Sequence, residues 1–355
     1  MTQLFSQLNN TQSGFIYASP FLDNTYATMA LFIWFPSSDV SSPVISSFIQ
    51  GTSPTVAFGK GRFVQPTYYG NQYRYHIWDA SNTGDSSPKA TAKAGGAVNE
   101  NQPSYMNYAN GMFMSTPYNN SARVGDVLTS TNGWNWTTYA GVLPAVQYGW
   151  RAPQYNTVTG TWLTRPNYDP ASYYRSADAG ASWTSVSSAP TTNCPDFAFG
   201  NGRWIVVEGV YNVNRVWSST DDANSWQSVS ISSGMSYVNG ITWNEYDSQF
   251  VIVGGNWVGD GTIVARVQTS PDGTTWTTRE AGSTQVALNN IKGDNAGNYI
   301  ATGWYYGSGG YGPTTVYMYS TDNAATWTAG TLPASCYLPW NQPGKLAWGD
   351  IRLGL

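Results

Sequence analysis

A short turn sequence that ends in Trp recurs along the chain, and it constrains the fold more than any other feature. Full copies occupy 176–183, 219–226 and 320–327, and copies one residue shorter occupy 130–136 and 270–276. Their final Trp residues follow one another at intervals of 43–51 residues. A period in this range is typical of solenoids, repeat arrays and propellers. We call these five segments the repeat turns.

Each repeat turn has the chemistry of a tight turn that leads into a strand. A Ser is followed two residues later by Asp or Asn, whose side chain can accept hydrogen bonds from backbone amides ahead of it. The final Trp is a large apolar anchor. The recurring positions are Ser130, Asn132 and Trp136; Ser176, Asp178 and Trp183; Ser219, Asp221 and Trp226; Ser270, Asp272 and Trp276; and Ser320, Asp322 and Trp327.

This pattern resembles the Asp-box, or BNR, repeat of sialidase-like β-propellers. The resemblance implies an all-β propeller built from four-stranded blades. It also implies that the boxes are structural, because in that family they lie away from the ligand face. We therefore interpret the carboxylates of the repeat turns as structural and assign none of them to catalysis.

A second repeat supplies the first hairpin of each blade. The segment 56–64 matches 197–205, and both read as a strand, a tight Gly-containing turn and a second strand. Weaker copies place six blades at 56–104, 105–152, 153–195, 196–238, 239–289 and 290–335.

The two ends of the chain hold additional strand material. A further copy of the first-strand pattern lies at 346–353, and strand-like segments occupy 14–18, 25–35 and 44–50. A lone terminal strand would leave an exposed edge. We predict one seven-bladed propeller over 1–355, with one blade composed of N- and C-terminal strands. The alternative is six blades with 1–55 as an attachment arm.

Composition excludes several function classes. Charged residues make up only 10% of the chain and the net charge is −4, which argues against nucleic acid as a partner. The single His76 and the two distant cysteines, Cys194 and Cys336, fit no metal-site spacing. No apolar run is long enough to span a bilayer and no signal-peptide pattern begins the chain. We expect no cofactor, no metal and no membrane contact.

Aromatic residues concentrate in the segments that would form the loops of one propeller face. Tyr and Trp among Asn, Gln and Ser are suited to recognition of sugars or protein surfaces. The alternative is that these rings pack blade against blade. The candidate ligand-binding residues are Trp150, Arg151, Tyr118, Tyr168, Trp257, Tyr305, Tyr306 and Tyr311.

The resemblance also raises a sialidase-type hydrolase. Such enzymes have an Arg-Ile-Pro sequence, an arginine clamp and a Tyr–Glu nucleophile pair. This chain has no Arg-Ile-Pro, and its nearest equivalent is the sequence beginning at Arg151. Glu208 is the only plausible Glu partner for a nucleophile, and a hydrolase of another kind would have to use Asp169, Asp260 or Glu208. We therefore expect a non-enzymatic protein.

The composition resembles that of phage virion and tail proteins: rich in Gly, Asn, Ser, Thr, Tyr and Trp, and poor in charge. The expected function is a tail, receptor-binding or capsid-decoration component of the virion. It would engage a host glycan or a neighbouring virion protein through its aromatic loops. The alternatives are an extracellular, carbohydrate-binding lectin of a cell and a divergent sialidase-like glycoside hydrolase.

Overall fold

The protein is built from antiparallel β-sheets, as the sequence predicts. The structure, a computed structural model, describes residues 13–22, 28–36, 38, 41, 44–50, 55–69, 72–79, 105–116, 125–146, 149–166, 172–186, 193–212, 214–259, 261–279, 281–282, 285–307, 310–312, 316–332 and 345–350. None of these residues forms a helix that is long and apolar enough to cross a membrane.

The strands follow one another in a regular series. Their bounds are β1 Ser13–Leu22, β2 Thr28–Pro36, β3 Val44–Gln50, β4 Ala57–Gly59, β5 Arg62–Tyr69, β6 Gln72–Asp79, β7 Tyr105–Ala109, β8 Met112–Thr116, β9 Val127–Ser130, β10 Thr137–Tyr139, β11 Gln154–Asn156, β12 Thr161–Thr164, β13 Tyr173–Ser176, β14 Thr184–Val186, β15 Phe197–Gly200, β16 Arg203–Val207, β17 Arg215–Ser219, β18 Gln227–Ser230, β19 Tyr237–Asn244, β20 Gln249–Trp257, β21 Ile263–Ser270, β22 Thr277–Arg279, β23 Val286–Gly293, β24 Tyr299–Gly307, β25 Gly310–Gly312, β26 Val316–Ser320, β27 Thr328–Thr331 and β28 Lys345–Asp350.

The chain divides into two compact units. Unit 1 contains 1–38, 44–186 and 344–355, and unit 2 contains 39–43 and 187–343. In unit 1 the sheets have the strand orders β28-β1-β2-β3, β4-β5-β6, β10-β9-β8-β7 and β11-β12-β13-β14. In unit 2 they are β15-β16-β17-β18, β19-β20-β21-β22 and β23-β24-β26-β27, with β25 paired to β24.

One sheet of unit 1 joins the two ends of the chain. Strand β28 pairs antiparallel with β1, with Phe15 opposite Trp348, and β1 continues through β2 to β3. Strands from the two ends of the chain thus pair within one sheet. The sheet β4-β5-β6 has three strands within the described residues.

The first hairpins of three sheets turn at a Lys-Gly or Asn-Gly pair in which both residues have positive φ: Lys60-Gly61, Asn110-Gly111 and Asn201-Gly202. Between β15 and β16, Asn201 and Gly202 have φ angles of 45° and 71°. Two successive residues with positive φ form the turn whose twist matches that of paired strands, and Asn and Gly tolerate this conformation best. A Cβ atom added at Gly200 would lie only 2.1 Å from the ring of Trp243. The close packing of this hairpin against the neighbouring sheet therefore requires a glycine.

The hydrophobic cores lie between neighbouring sheets, and four repeat-turn Trp residues pack in them: Trp136, Trp183, Trp276 and Trp327. Trp136 stacks on Tyr75 with ring centroids 3.8 Å apart. Trp276 packs with Ile205 and Val207, and Trp327 packs with Val251 and Val253. Each of these Trp side chains therefore contacts the sheet that precedes its own along the chain.

Candidate functional site

In the five sheets that carry a repeat turn, the two ends have different features. In the sheet β19–β22, Tyr237 pairs with Gly255 where β19 begins, and Asn244 pairs with Gln249 at the tight hairpin. The repeat turn that follows Ser270 lies at this second end, because Ser270 pairs with Phe250. We call the end where the first strand begins the loop end, and the other the hairpin end. The repeat turns and the candidate ligand loops thus lie at opposite ends of their sheets.

The repeat turns are closed by hydrogen bonds within the turn. Asp272 Oδ1 accepts from the amides of Thr274 and Thr275 at 2.8 and 2.7 Å and from the Ser270 hydroxyl at 3.0 Å. The Ser270 hydroxyl accepts in turn from the Gly273 amide at 2.8 Å. With its oxygens engaged in this way, the carboxylate acts as a structural acceptor.

The longer copies of the turn make the same bonds one residue further along. Asp178 Oδ1 accepts from the Ser182 amide, and Asp221 Oδ1 accepts from the Ser225 amide. In the copy at 320–327, the Trp327 indole N–H donates to the Ala324 carbonyl at 3.1 Å. Asn132 takes the same role with an amide oxygen, accepting from the amides of the two residues after Gly133.

These hydrogen bonds lower the pKa of the turn aspartates. For Asp178, Asp221 and Asp322, burial alone would raise the pKa, but bonds from the hydroxyl and amide four residues ahead outweigh it. For Asp272, the Thr275 amide makes the largest contribution and lowers the pKa well below the usual range. A lowered pKa in the folded state means that stability is present above the ordinary Asp pKa and is lost as the pH falls through the lowered value.

We therefore expect the urea midpoint to fall as the pH decreases below about 4, the ordinary Asp value. A variant with Asn at 178, 221, 272 and 322 should show a flatter dependence, because Asn is neutral at every pH and Asn132 shows that the turn accepts it. Urea titrations of both proteins between about pH 2 and pH 7 measure the difference. If the urea midpoints of the two proteins fell in parallel as the pH decreases, the structural role of the turn aspartates would be contradicted.

The loop end of unit 2 presents aromatic rings to solvent. Tyr211, in the loop between β16 and β17, is 53% exposed, and its ring lies 5.3 Å from that of the half-buried Tyr237 at the start of β19. Trp257 is half-buried at the end of β20, and Val258 beside it is exposed. Tyr305 is 36% exposed. We call Tyr211, Tyr237, Trp257, Val258 and Tyr305 the aromatic surface.

A buried serine holds much of this surface in place. The Ser236 carbonyl accepts from the Asn212 amide at 2.8 Å, and its amide donates to the Gly255 carbonyl at 2.9 Å. The Ser236 hydroxyl donates to Asn256 Oδ1 at 2.9 Å and accepts from the Trp257 amide at 3.0 Å. Ser236 thus ties the loop that carries Tyr211 to the strand end that carries Trp257.

Tyr305 lies at the same end of the next sheet. It pairs with Val286 at the start of β23, and β23 packs beside β19. The Asn239 amide group donates to the Leu288 carbonyl at 3.1 Å and links these two first strands. The aromatic surface therefore spans the loop ends of the three neighbouring sheets of unit 2.

Two of the predicted ligand residues lie together in unit 1, and one of them is not at the surface. Trp150 is fully buried in a core with Met114, Val127 and Trp162, so its prediction as a ligand-binding residue is wrong. The Trp150 side chain follows a loop, as predicted, but it points into the core instead of towards solvent. Arg151 is half-buried, with its guanidinium carbon 6.0 Å from the centre of the Tyr105 ring.

The other predicted ligand residues are described in part or not at all. Trp257 and Tyr305 belong to the aromatic surface. Tyr306 pairs with Tyr311 across β24 and β25, which brings their backbones opposite each other. Tyr118 and Tyr168 lie outside the described residues.

Glu208, the carboxylate considered for a hydrolase, is engaged in a buried ion pair. Its side chain is 0% exposed and accepts from Arg215 Nε at 2.7 Å and Nη2 at 3.2 Å, and from the Trp217 indole at 3.1 Å. The Arg215 guanidinium also lies over the Trp217 ring at 5.1 Å. This arrangement is structural and leaves Glu208 poorly placed to activate a nucleophile. Asp169 and Asp260 lie outside the described residues.

Among the described residues, no group of three His, Cys, Asp or Glu side chains is arranged to hold a metal. Cys194 is fully buried, and Cys336 falls outside the described ranges.

Three residues of this region, Tyr211, Val258 and Ser236, were not predicted from the sequence. One signal was present for Tyr211. It precedes two asparagines in a short loop, and Asn212 and Asn214 both have positive φ. An aromatic residue in a tight loop of this kind has few ways to be buried, which favours an exposed ring.

Solved structures support a β-propeller fold for the chain. No family model and no curated protein matches it. The structure titled "YCF48 bound to D1 peptide" is 12% identical, with a TM-score of 0.54 over 82% of this chain and 91% of that chain. A putative 6-phosphogluconolactonase from Bacteroides uniformis is 10% identical, with a TM-score of 0.60 over 96% of this chain and 100% of that chain. The WD40 β-propeller domain of Doa1 is 10% identical, with a TM-score of 0.56 over 89% of this chain and 92% of that chain. At such identities the similarity shows the fold alone, because propellers host unrelated functions.

Proposed function

We propose that the protein is a non-enzymatic β-propeller that binds a saccharide through the aromatic surface. Its setting is a phage particle, as a tail, receptor-binding or capsid-decoration component, and its ligand is a glycan of the host. The observation that carries the proposal is the grouping of exposed and half-buried rings at the loop end of unit 2, beside the amide groups of Asn212 and Asn256. Rings stack on the apolar faces of sugars, and amides bond their hydroxyls.

The proposed architecture is a single seven-bladed ring of the Asp-box type. It is supported by the seven sheets of the described residues and by the pairing of β28 with β1, which would join the first and last blades. The internal bonds of the repeat turns support the resemblance to Asp-box proteins.

A non-catalytic role is supported by the ion pair of Glu208. Most retaining and inverting glycosidases use two carboxyl groups that flank the scissile bond, and a sialidase uses a Tyr nucleophile paired with a Glu. The described part of the aromatic surface contains no carboxylate, and the oxygens of Glu208 accept from Arg215 and Trp217.

The test is a glycan array with purified protein, with sugar release monitored on the same glycans. The proposal predicts binding without release. Binding with release of sugar would show that the protein is a hydrolase. Absence of binding to every glycan on the array would contradict the proposal that the ligand is a saccharide.

Tyr211→Ala is expected to weaken saccharide binding by at least about tenfold, the equivalent of about 1.4 kcal/mol. Its matched control is Tyr246→Ala, because Tyr246 is 57% exposed but lies at the hairpin end of the same unit. Both variants should keep the wild-type midpoint of unfolding. Isothermal titration with an array-positive oligosaccharide measures the difference, and equal losses in the two variants would show that the aromatic surface is not the site.

A further inference from the structure

The aromatic surface has a chemical feature that narrows its ligand: its described residues carry no charge. The loop 209–212, the segment 236–237, the strand end 256–259 and residues 304–305 consist of Gly, Val, Tyr, Asn, Ser and Trp. Aromatic rings and neutral amides recognise hydroxyl groups and apolar sugar faces, whereas a carboxylate or sulfate needs a cationic partner when it loses water.

Three charged side chains of unit 2, those of Arg215, Arg266 and Asp196, have hydrogen-bond partners of their own. Arg215 forms the bidentate pair with Glu208, so this pair presents no net charge. Arg266 Nη1 donates to the carbonyls of Ala265 and Gly282. Asp196 Oδ1 accepts from the Phe197 amide, and Asp196 Oδ2 accepts from the Ile241 amide.

We infer that the aromatic surface selects neutral saccharides and discriminates against acidic ones. This inference rests on the proposed function, since it names the ligand class of the same surface. A neutral sugar would lose its hydration water on binding, and the rings and amides of the surface would replace the contacts made by that water. An acidic sugar would place its anion beside the faces of tyrosine and tryptophan rings, which carry partial negative charge. The Arg215 guanidinium near this loop is already paired with Glu208 and is not available to compensate the anion.

A second consequence follows for ionic strength. Binding between charged groups weakens as salt shortens the Debye length. Binding through rings and amides has no such dependence on ionic strength. Salts that are excluded from the protein surface even strengthen apolar contacts slightly. Affinity for the neutral ligand should therefore change little with added NaCl.

The experiment measures binding of the full chain to neutral oligosaccharides of glucose, galactose and mannose. Each is paired with a counterpart in which one hexose is replaced by a hexuronic acid. We expect the acidic member of a bound pair to bind about tenfold more weakly or worse. The Kd of the neutral member should change by less than about twofold between about 50 and about 500 mM NaCl.

A gain-of-binding variant provides an independent check. Val258 is exposed on the aromatic surface, so Val258→Lys can be introduced without disturbing a core. We expect it to strengthen binding of the acidic counterparts by about threefold or more at low salt and to make their binding salt-dependent.

The outcomes separate this inference from the proposed function. Equal or stronger binding of the acidic counterparts by the wild-type chain, or a marked loss of neutral binding in high salt, would overturn the selectivity while leaving a saccharide-binding protein. Absence of binding to both members of every pair, and to the rest of the array, would overturn both.

Discussion

Replacing Trp327 with Ala is expected to lower the free energy of unfolding by about 3–5 kcal/mol, the usual cost of removing a buried Trp. Its side chain packs with Val251, Val253 and Tyr299, and the indole N–H donates to the Ala324 carbonyl. The variant would lose both the apolar contact between two sheets and the closing bond of a repeat turn.

Trp327→Phe is the matched control. It keeps most of the apolar volume but loses the indole donor, so we expect less than half of the effect, about 1–2 kcal/mol. Guanidinium titrations of the three proteins measure the series. A loss below about 1 kcal/mol for the Ala variant would show that the repeat-turn Trp does not hold neighbouring sheets together.

Replacing Arg215 with Ala is expected to cost about 2–4 kcal/mol at neutral pH, because it leaves the buried Glu208 carboxylate without its cation. The estimate lies below the full cost of breaking a buried pair, since the Arg215 side chain is 38% exposed. The Glu208 hydrogen bond, the largest cause, raises the pKa of Arg215, so the guanidinium is charged at every working pH.

The double variant Glu208→Leu with Arg215→Leu separates the ion pair from the loss of side-chain packing. Replacing both partners by apolar groups is often neutral, so we expect the double variant to recover most of the stability. A single variant that is as stable as the double variant would contradict this account.

Much of the fold can be predicted from local sequence chemistry. The tight hairpins follow from Gly and Asn positions, and the repeat turns follow from a Ser and an Asx residue two positions apart, because these side chains bond their own backbone. The pairing of β28 with β1 could also be predicted. The segment 346–353 repeats the first-strand pattern but no further strands follow it, and the N-terminal segment contains strands that can pair with it. In each case the deciding interaction lies within a few residues or one strand.

The candidate site is less predictable because it depends on which way a side chain turns. Trp150 and Trp257 both occupy segments beside loops, yet only Trp150 is fully buried. Ser236 acts through bonds to Asn212 and Asn256, which are distant in sequence. The Glu208–Arg215 pair could have been predicted, since opposite charges flank a short loop between paired strands β16 and β17.

The most direct test of the central claim is the structure of the protein in complex with an array-positive oligosaccharide. We expect a sugar ring stacked on Tyr211 or Trp257 at the loop end of unit 2, with the glycosidic bonds intact. A sugar bound at the hairpin end, or a cleaved product held beside a carboxylate, would contradict it.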